Sequence, residues 1–444
     1  MKMRILIGLL LSASMLVSEA KATHYEPIDK CWRISHLPSS SKNKPGRAES
    51  VQPEYGTTNT WIGALNTRYA NMMMPDVNIA NVEFQPVGTV LSTAVKHFLD
   101  FAEKGDFSPN QVLFKCPAAA AGRIFEMYST NGDYEWGGRD DREVGTAFGM
   151  EHVYASYYKG LGFRLTNLAT GEYFSPFWKA RPLTGLDRDG NGNILVKAKD
   201  FSNVKIELIR IPDESGHGVI YDSFIHSQPF GYLAMRGPGL IAPKPGQNHL
   251  THYEGWYGNW PAVIGLHNSL TMHRGKTCLV NFVTPTVTFL PISVMELAQG
   301  SVRRGQFSVS YQCEQGAKRG VGPGEISMFF LTSPEAFATA QDLSLVEAGV
   351  ATPYLLSENY HAETTAKGVA VTLYDESGTQ LRFADPNRYF DRGANPAQMV
   401  PGGTQIGENR YIMSFEASLG QVGNGIAITP GQYSSTARVV MRFN

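Results

Sequence analysis

The sequence lacks a charge bias, and it lacks the signatures of common hydrolases. Its 39 lysines and arginines nearly balance its 40 aspartates and glutamates, which leaves a net charge of −1 and no electrostatic footprint for nucleic acid or an anionic membrane. Neither GxSxG nor HExxH occurs, and a carboxylate pair such as Asp140 and Asp141 does not specify glycosidase chemistry by itself. We therefore expect neither an enzyme nor a nucleic-acid-binding protein.

Beyond its N-terminus, the chain also lacks an apolar run of the ~18 to 20 residues that a membrane span needs. The N-terminus combines a short basic start, Met1 to Arg4, with a mostly apolar stretch from Ile5 to Val17 and the small residues of SEAKA. This pattern is typical of a secretory signal peptide over residues 1–22, and a buried N-terminal helix is the alternative. We expect the mature protein to be exported and soluble.

Cysteine is scarce, with four residues and no CxxC spacing, which weakens a free-thiol or metal-binding interpretation. In an oxidising compartment, an even number of cysteines indicates disulfides. Four cysteines allow three pairings. Their order along the chain favours Cys31 with Cys116 and Cys278 with Cys313.

Glycine, proline and aromatic residues are plentiful, with 45 glycines and 25 prolines, and this composition favours many short strands joined by turns. A chain of 444 residues has room for two domains. Strand-like runs such as RIFEMYS, ILVKAKDF and VIYDSFI are separated by turn residues. They predict a β-sandwich or jelly-roll-like domain over residues 23–268.

The segments after residue 269 alternate apolar and polar residues with a period of two, as strands with one buried face do. The first run, KTCLVNFVTPTVTFLPISVMEL, carries Cys278, and GQFSVSYQC ends on Cys313. KGVAVTLYDESGTQLRF, YIMSFEASLG and the terminal GQYSSTARVVMRFN follow. In the terminal run, the inward register holds Tyr433, Ser435, Ala437, Val439, Met441 and Phe443. Short strands at this spacing predict an Ig-like β-sandwich over residues 269–444.

The region from Gly275 to Asn444 resembles the pilin domains of the bacterial chaperone–usher fimbrial family. The likeness rests on two cysteines about 35 residues apart, the second of which ends an F-x-V-x-Y-x-C strand, and on the segment GVAVTLYDESG. It rests also on Gly431, fourteenth from the C-terminus, and on the penultimate aromatic residue Phe443.

The resemblance implies an incomplete Ig-like sandwich that lacks its last strand and exposes an apolar groove. The groove would accept a donor strand by β-augmentation, first from a periplasmic chaperone and then from the adjacent fimbrial subunit, during assembly at an outer-membrane usher. A basic site on the chaperone would hold the carboxylate of Asn444. An internal strand that completes the fold is the alternative. The implied groove residues are Gly431, Tyr433, Ala437, Val439, Met441, Phe443 and Asn444.

The segment from Thr23 to Cys31 shows no alternating apolar run, so we expect a subunit that receives a strand without donating one and sits at the fimbrium tip. A tip subunit with an additional N-terminal domain resembles the two-domain fimbrial adhesins. This implies that residues 23–268 bind a host-surface receptor, a glycan or a protein. A non-adhesive structural tip or initiator subunit is the alternative.

Two segments of the N-terminal domain have residue types suited to receptor binding, because aromatic rings stack on sugars while polar groups bind their hydroxyls. Packing at the domain junction is the alternative for the first segment, and a solvated charged loop is the alternative for the second. The candidates are Tyr253, Trp256, Tyr257 and Trp260 in HYEGWYGNWP, and Trp136, Arg139, Asp140 and Asp141 in YEWGGRDDRE.

Two further patterns imitate metal sites. Residues 187–193, DRDGNGN, imitate the start of a calcium loop, but Ala198 stands where the bidentate glutamate belongs, which favours a hairpin turn. On a strand, the spacing of His249 and His252 points their rings to opposite faces. No third ligand is evident nearby. We expect no metal and no cofactor.

Overall fold

The computed structural model describes residues 28–34, 51–61, 74, 77–101, 107–216, 228–256, 258–266, 270, 272–273, 275–319, 325–388, 403–423 and 425–443. The expected signal peptide, the run VIYDSFI, Tyr257 and Asn444 lie outside these residues. Within the described ranges, no helix is long and apolar enough to cross a membrane.

The N-terminal region consists of short strands joined by turns. Its strands are β1 (Trp32–Arg33), β2 (Val77–Asn78), β3 (Val90–Lys96), β4 (Val112–Cys116), β5 (Phe125–Thr130), β6 (Tyr154–Ala155), β7 (Leu161–Asn167), β8 (Lys179–Pro182), β9 (Asp187–Arg188), β10 (Ile194–Lys197), β11 (Val204–Arg210), β12 (Gly231–Arg236), β13 (Ala262–Ile264) and β14 (Met272–His273). Short 3₁₀ helices span Pro53–Tyr55, Phe98–Phe101, Ala118–Ala120, Asp140–Arg142, Gly145–Phe148, Ala198–Asp200 and Asp213–Ser215.

Four-stranded sheets surround one apolar core in this region. Their strand orders are β1-β4-β10-β9, β3-β11-β7-β6 and β13-β12-β5-β8. Each sheet contributes to the core, for example through the buried side chains of Phe114 on β4, Phe163 on β7 and Leu233 on β12. The predicted disulfide between Cys31 and Cys116 joins the residue before β1 to the end of β4. The β-rich N-terminal domain expected from the sequence is confirmed.

The C-terminal region adds eleven strands and two helices to the described part of the chain. These elements are β15 (Cys278–Val283), α1 (Val294–Ala298), β16 (Arg303–Cys313), β17 (Ile326–Leu331), α2 (Pro334–Asp342), β18 (Ala351–Thr352), β19 (Leu355–Leu356), β20 (Val369–Tyr374), β21 (Gln380–Leu381), β22 (Phe383–Ala384), β23 (Thr404–Gly407), β24 (Arg410–Gln421) and β25 (Arg438–Phe443).

Two sheets enclose the C-terminal core. One has the order β15-β16-β24-β20-β19, with β21 beside β20 and β23 beside β24, and the other has the order β18-β22-β17-β25. The ring of Phe330 on β17 meets that of Phe415 on β24 edge to face, with centroids 5.1 Å apart. Cys278 lies opposite Cys313 in the β15–β16 ladder, and the two form the predicted disulfide. The predicted sandwich architecture is confirmed.

Two predicted strands are shorter than the alternation suggested. The first run was expected to continue as a strand, but β15 ends at Val283, because Pro285 and Pro291 lack the N–H donors that a ladder requires. Helix α1 follows, and Ser293 and Glu296 form its capping box. The terminal strand begins at Arg438 instead of Gly431.

The segment that joins the two regions is held to the N-terminal region by strand pairing and hydrogen bonds. Strand β14 pairs in parallel with β2. Beyond it, the N–H of Gly275 donates to Oδ1 of Asn78 at 2.6 Å, while its carbonyl accepts from Nδ2 at 3.2 Å. Leu270 and Met272 belong to the N-terminal core. We therefore propose that the domain boundary lies near Gly275, a few residues after the boundary expected between 268 and 269.

Candidate functional site: an apolar groove and an aromatic loop

An open groove of about 1050 Å³ runs along the C-terminal sandwich. One wall is formed by residues 283–294, which follow β15, and the other by residues 429–437 and the start of β25. Strand β25 pairs with β17 along one edge, and it is the last strand of its sheet in the described part of the chain. Among the described residues, the groove therefore begins beside a strand whose one paired neighbour is β17.

The floor of the groove is the sandwich core itself. No charged side chain is found among the described residues that line it. An apolar floor beside a free strand edge can hold an added strand, because main-chain hydrogen bonds pair the edge while alternate apolar side chains enter the floor. The floor residues are Phe307, Phe330, Leu355, Val369, Val371, Leu373, Phe383, Ala417 and Leu419.

The structure brings four of the predicted groove residues together at this site. Gly431, Tyr433, Ala437 and Val439 all line the groove. The hydroxyl of Tyr433 donates to the carbonyl of Leu355 at 2.6 Å, and burial raises its pKa. This bond ties one wall to the floor.

Gly431 is suited to its place by the space around its backbone. A Cβ atom there would come within 2.4 Å of the backbone N of Ala366. The same close approach lets the N–H of Ala366 donate to the carbonyl of Gln432 at 3.0 Å. Glycine thus allows the wall to pack directly against the segment before β20.

The remaining predicted groove residues lie farther along β25. Met441 packs against the core and lines a second cavity, at the junction with the N-terminal region. The backbone of Phe443 pairs with Ile326, and Asn444 lies outside the described residues. Their roles at the groove remain predictions.

The packing of the outward face of the terminal strand was not predicted from the sequence. Val440 points away from the groove and packs against the apolar cluster of Phe329 and Leu331. Val90, at the start of β3, packs against the same cluster from the N-terminal region. The sequence does indicate a buried position on this face, because Val440 is an apolar residue in the otherwise polar outward register of the terminal run.

The loop from Asn248 to Pro261 divides its aromatic residues between surface and core. Tyr253 is 54% exposed and Trp256 is 37% exposed. Trp260 is 1% exposed and packs with Trp178 and Tyr232, each at a centroid distance of 4.9 Å. This corrects the expectation that Trp260 offers its ring to a ligand. Its partners also lie within the N-terminal region and not at the domain junction.

The other predicted ligand-binding segment is largely occupied by its own contacts. Trp136 is 9% exposed, and the guanidinium of Arg142 lies 4.4 Å from its ring centroid. Arg139 makes a two-point ion pair with Asp141, at 2.6 and 2.7 Å, and this contact lowers the pKa of Asp141. Asp140 is exposed in the adjoining 3₁₀ helix. The ring of Trp136 is therefore not available to stack on a ligand in this structure.

The carboxylates of residues 187–193 are engaged by lysines and by the turn itself. Asp189 accepts from the N–H groups of Asn191 and Asn193 through Oδ1, and it pairs with the buried Lys115 through Oδ2 at 2.7 Å. Lys197 and Lys199 approach Asp187 at 2.7 and 2.8 Å. This arrangement is a charge-neutralised hairpin turn. Across the described residues, no group of three acidic, histidine or cysteine side chains is placed to hold a metal.

Comparison with known proteins gives one family match. Residues 266–444 match the model of the family described as fimbrial protein, which supports a fimbrial subunit. No curated protein matches the chain.

Three solved structures are similar at low identity. The P pilus rod subunit PapA is 15% identical, with 38% of this chain and 99% of that chain covered and a TM-score of 0.25. The CupB6 tip adhesin from Pseudomonas aeruginosa is 14% identical, with 84% and 92% covered and a TM-score of 0.24. A structure of a chaperone-usher pilus is 11% identical, with 36% and 81% covered and a TM-score of 0.22. The family match therefore places the similarity to fimbrial proteins in the C-terminal region of this chain, residues 266–444.

Proposed function

We propose that the chain is a fimbrial tip adhesin of the chaperone–usher pathway. Its C-terminal domain joins the fibre by accepting a donor strand, and its N-terminal domain binds a host-surface receptor, a glycan in the first instance. The observation that carries the assembly half of this proposal is the open apolar groove beside β25.

The groove explains how the fibre contact would form. A donor strand would pair with the edge formed by residues 429–439 and place every second side chain on the apolar floor. Each Val, Leu, Ile or Phe side chain that becomes buried contributes about 1.5–3 kcal/mol. A periplasmic chaperone, the usher and the adjacent subunit would use this edge in turn, and the mature protein would lie on the cell surface at the fimbrium tip.

Two variants test the groove directly. Val439 lies on the groove wall, so Val439→Asp places a charge where the donor strand packs, and we expect loss of chaperone capture and of periplasmic accumulation. Ile406→Asp is the matched control, because Ile406 is 58% exposed on β23, away from the groove. Normal accumulation of the Val439→Asp protein and its incorporation into fibres would contradict the proposal.

The receptor half of the proposal rests on Tyr253 and Trp256. Their rings are exposed on a loop whose base is fixed, since Nε1 of Trp178 donates to the carbonyl of His252 at 3.0 Å and Nε1 of Trp260 donates to that of Glu254 at 3.2 Å. Rigid aromatic rings at the surface give contact area at a low entropic cost.

The test is a glycan array probed with the full chain, its groove filled by an appended donor strand. We expect binding to one glycan family that is lost in Trp256→Ala and kept in Leu168→Ala, a control at a residue 39% exposed. Absence of binding from a folded protein would favour a protein receptor or a non-adhesive tip subunit.

A further inference from the structure

The two ends of the groove differ in what lies beyond them. At the end where β15 and β25 approach each other, an open cavity of about 340 Å³ is lined jointly by both regions. Residues 84–91 of the N-terminal region form one side, and residues 277–280 and 438–441 form the other. The N-terminal domain therefore occupies the space beyond this end.

The opposite end opens beside helix α1, and its surface is apolar. Leu290 is 76% exposed, Met295 is 70% exposed and Val294 is 38% exposed. Leu290 and Val294 also line the groove, so this surface continues the groove wall. Isolated apolar side chains at a surface need no explanation, but a group at the mouth of an apolar groove is typical of an interaction site.

The helix that carries this surface is held in place by polar contacts behind it. The carboxylate of Glu296 accepts from the N–H of Ser293 at 2.9 Å and from the guanidinium of Arg303 at 2.8 Å. Nε of Arg303 also donates to the carbonyl of Pro291 at 3.2 Å. The charge of Glu296 is thus neutralised, and the apolar side chains are presented on a fixed base, which lowers the entropic cost of docking.

We propose that Leu290, Val294 and Met295 form a docking surface for the folded body of the subunit whose strand fills the groove. This rests on the proposed function. A donor strand is an extension of a folded domain, so that domain must lie beyond one end of the groove. Since the N-terminal domain takes the first end, the partner body lies at the α1 end and covers this surface.

The experiment separates strand binding from body docking. The full chain is titrated with a synthetic peptide of the donor segment of the major fimbrial subunit from the same bacterium. It is titrated separately with that complete subunit, whose own groove is filled by an appended strand. The variant is Met295→Ser, because Met295 is 70% exposed and is absent from the groove lining, and Ile406→Ser is the control at an exposed residue on β23. Both altered side chains are exposed, so thermal unfolding should remain unchanged.

We expect the Met295→Ser variant to bind the peptide as the unaltered chain does and to bind the complete subunit about tenfold more weakly. Equal affinities of the variant and the unaltered chain for the complete subunit, with normal peptide binding, would overturn the docking surface alone. Failure of the unaltered chain to bind the peptide would overturn the proposed function and the docking surface with it.

Discussion

His249 makes the stability of the N-terminal domain sensitive to acid. Its side chain is 2% exposed, and its ring lies against those of Tyr232, Trp178 and Trp260 at centroid distances of 5.4, 5.5 and 5.6 Å. Neither ring nitrogen has a hydrogen-bond partner, and the nearest carboxylate oxygen recorded, on Asp133, is 4.0 Å from Nδ1. Burial lowers the pKa of His249 to about 4.

Because burial lowers the pKa of His249, acid destabilises the folded domain. In the unfolded chain the histidine binds a proton near its ordinary pKa of about 6.5, whereas the folded domain resists protonation until about pH 4. Acid therefore stabilises the unfolded state first, so stability is present above pH 6.5 and falls as the pH drops toward 4. Linkage gives a loss of about 2 kcal/mol between pH 7 and pH 4.5 from this residue alone.

The matched variant is His249→Phe, which replaces the ring without a titrating group. Because the ring nitrogens are unpartnered, we expect this protein to be as stable as the unaltered chain at pH 7, or slightly more stable. Its loss of stability between pH 7 and pH 4.5 should be smaller by about 2 kcal/mol. Urea unfolding followed by tryptophan fluorescence reports this directly, since Trp178 and Trp260 flank the site.

His252→Phe is the control, because the Nδ1 atom of His252 lies 3.2 Å from the carbonyl of Asn248 and outside the aromatic cluster. Identical pH dependence of the unaltered chain and the His249→Phe variant would refute the reasoning. A large destabilisation of His249→Phe at pH 7 would show that the ring nitrogens have partners when folded.

Three further predictions concern the C-terminal domain. Replacing Cys278 and Cys313 by serine opens a loop of 35 residues, and equilibrium unfolding should show that the free energy of unfolding falls by about 3.8 kcal/mol. A fall of less than about 1 kcal/mol would contradict the entropic argument. Tyr433→Phe removes a 2.6 Å hydrogen bond to a backbone carbonyl and should cost about 1 kcal/mol in the same assay, with no change if the bond does not form. Val440→Ser removes an apolar contact near Val90. Limited proteolysis should therefore cut the junction between the two regions several times faster, while the melting temperature of each region stays the same. An unchanged cleavage rate would show that this contact does not hold the junction.

The β-rich fold could be predicted because its signals are local: alternation around Val439 marks one face of a strand. Disulfides were expected from an even number of cysteines in a chain with a predicted signal peptide, and the order of the cysteines favoured the pairing that the structure has. The strand ends could not be predicted as well. The alternation continued past Val283, and only the prolines and the capping box of α1 indicated where the ladder stops.

The candidate sites depended on contacts between distant residues. Trp256 and Trp260 stand in the same short motif, yet one is 37% exposed and the other 1%, because Trp178, just before β8, and Tyr232, on β12, pack against Trp260. The ion pair of Asp189 with Lys115 likewise joins residues that are distant in sequence. Composition and spacing identify residue types, but burial is decided by tertiary packing.

The most direct test of the central claim is hydrogen exchange of the full chain with and without a bound donor peptide. The account predicts that exchange slows in residues 429–439 and 284–292, which border the groove, because an added strand pairs with a wall of the groove. Exchange in β5 and β11 of the N-terminal region should stay the same. Unchanged exchange along both groove walls at saturating peptide would contradict the account.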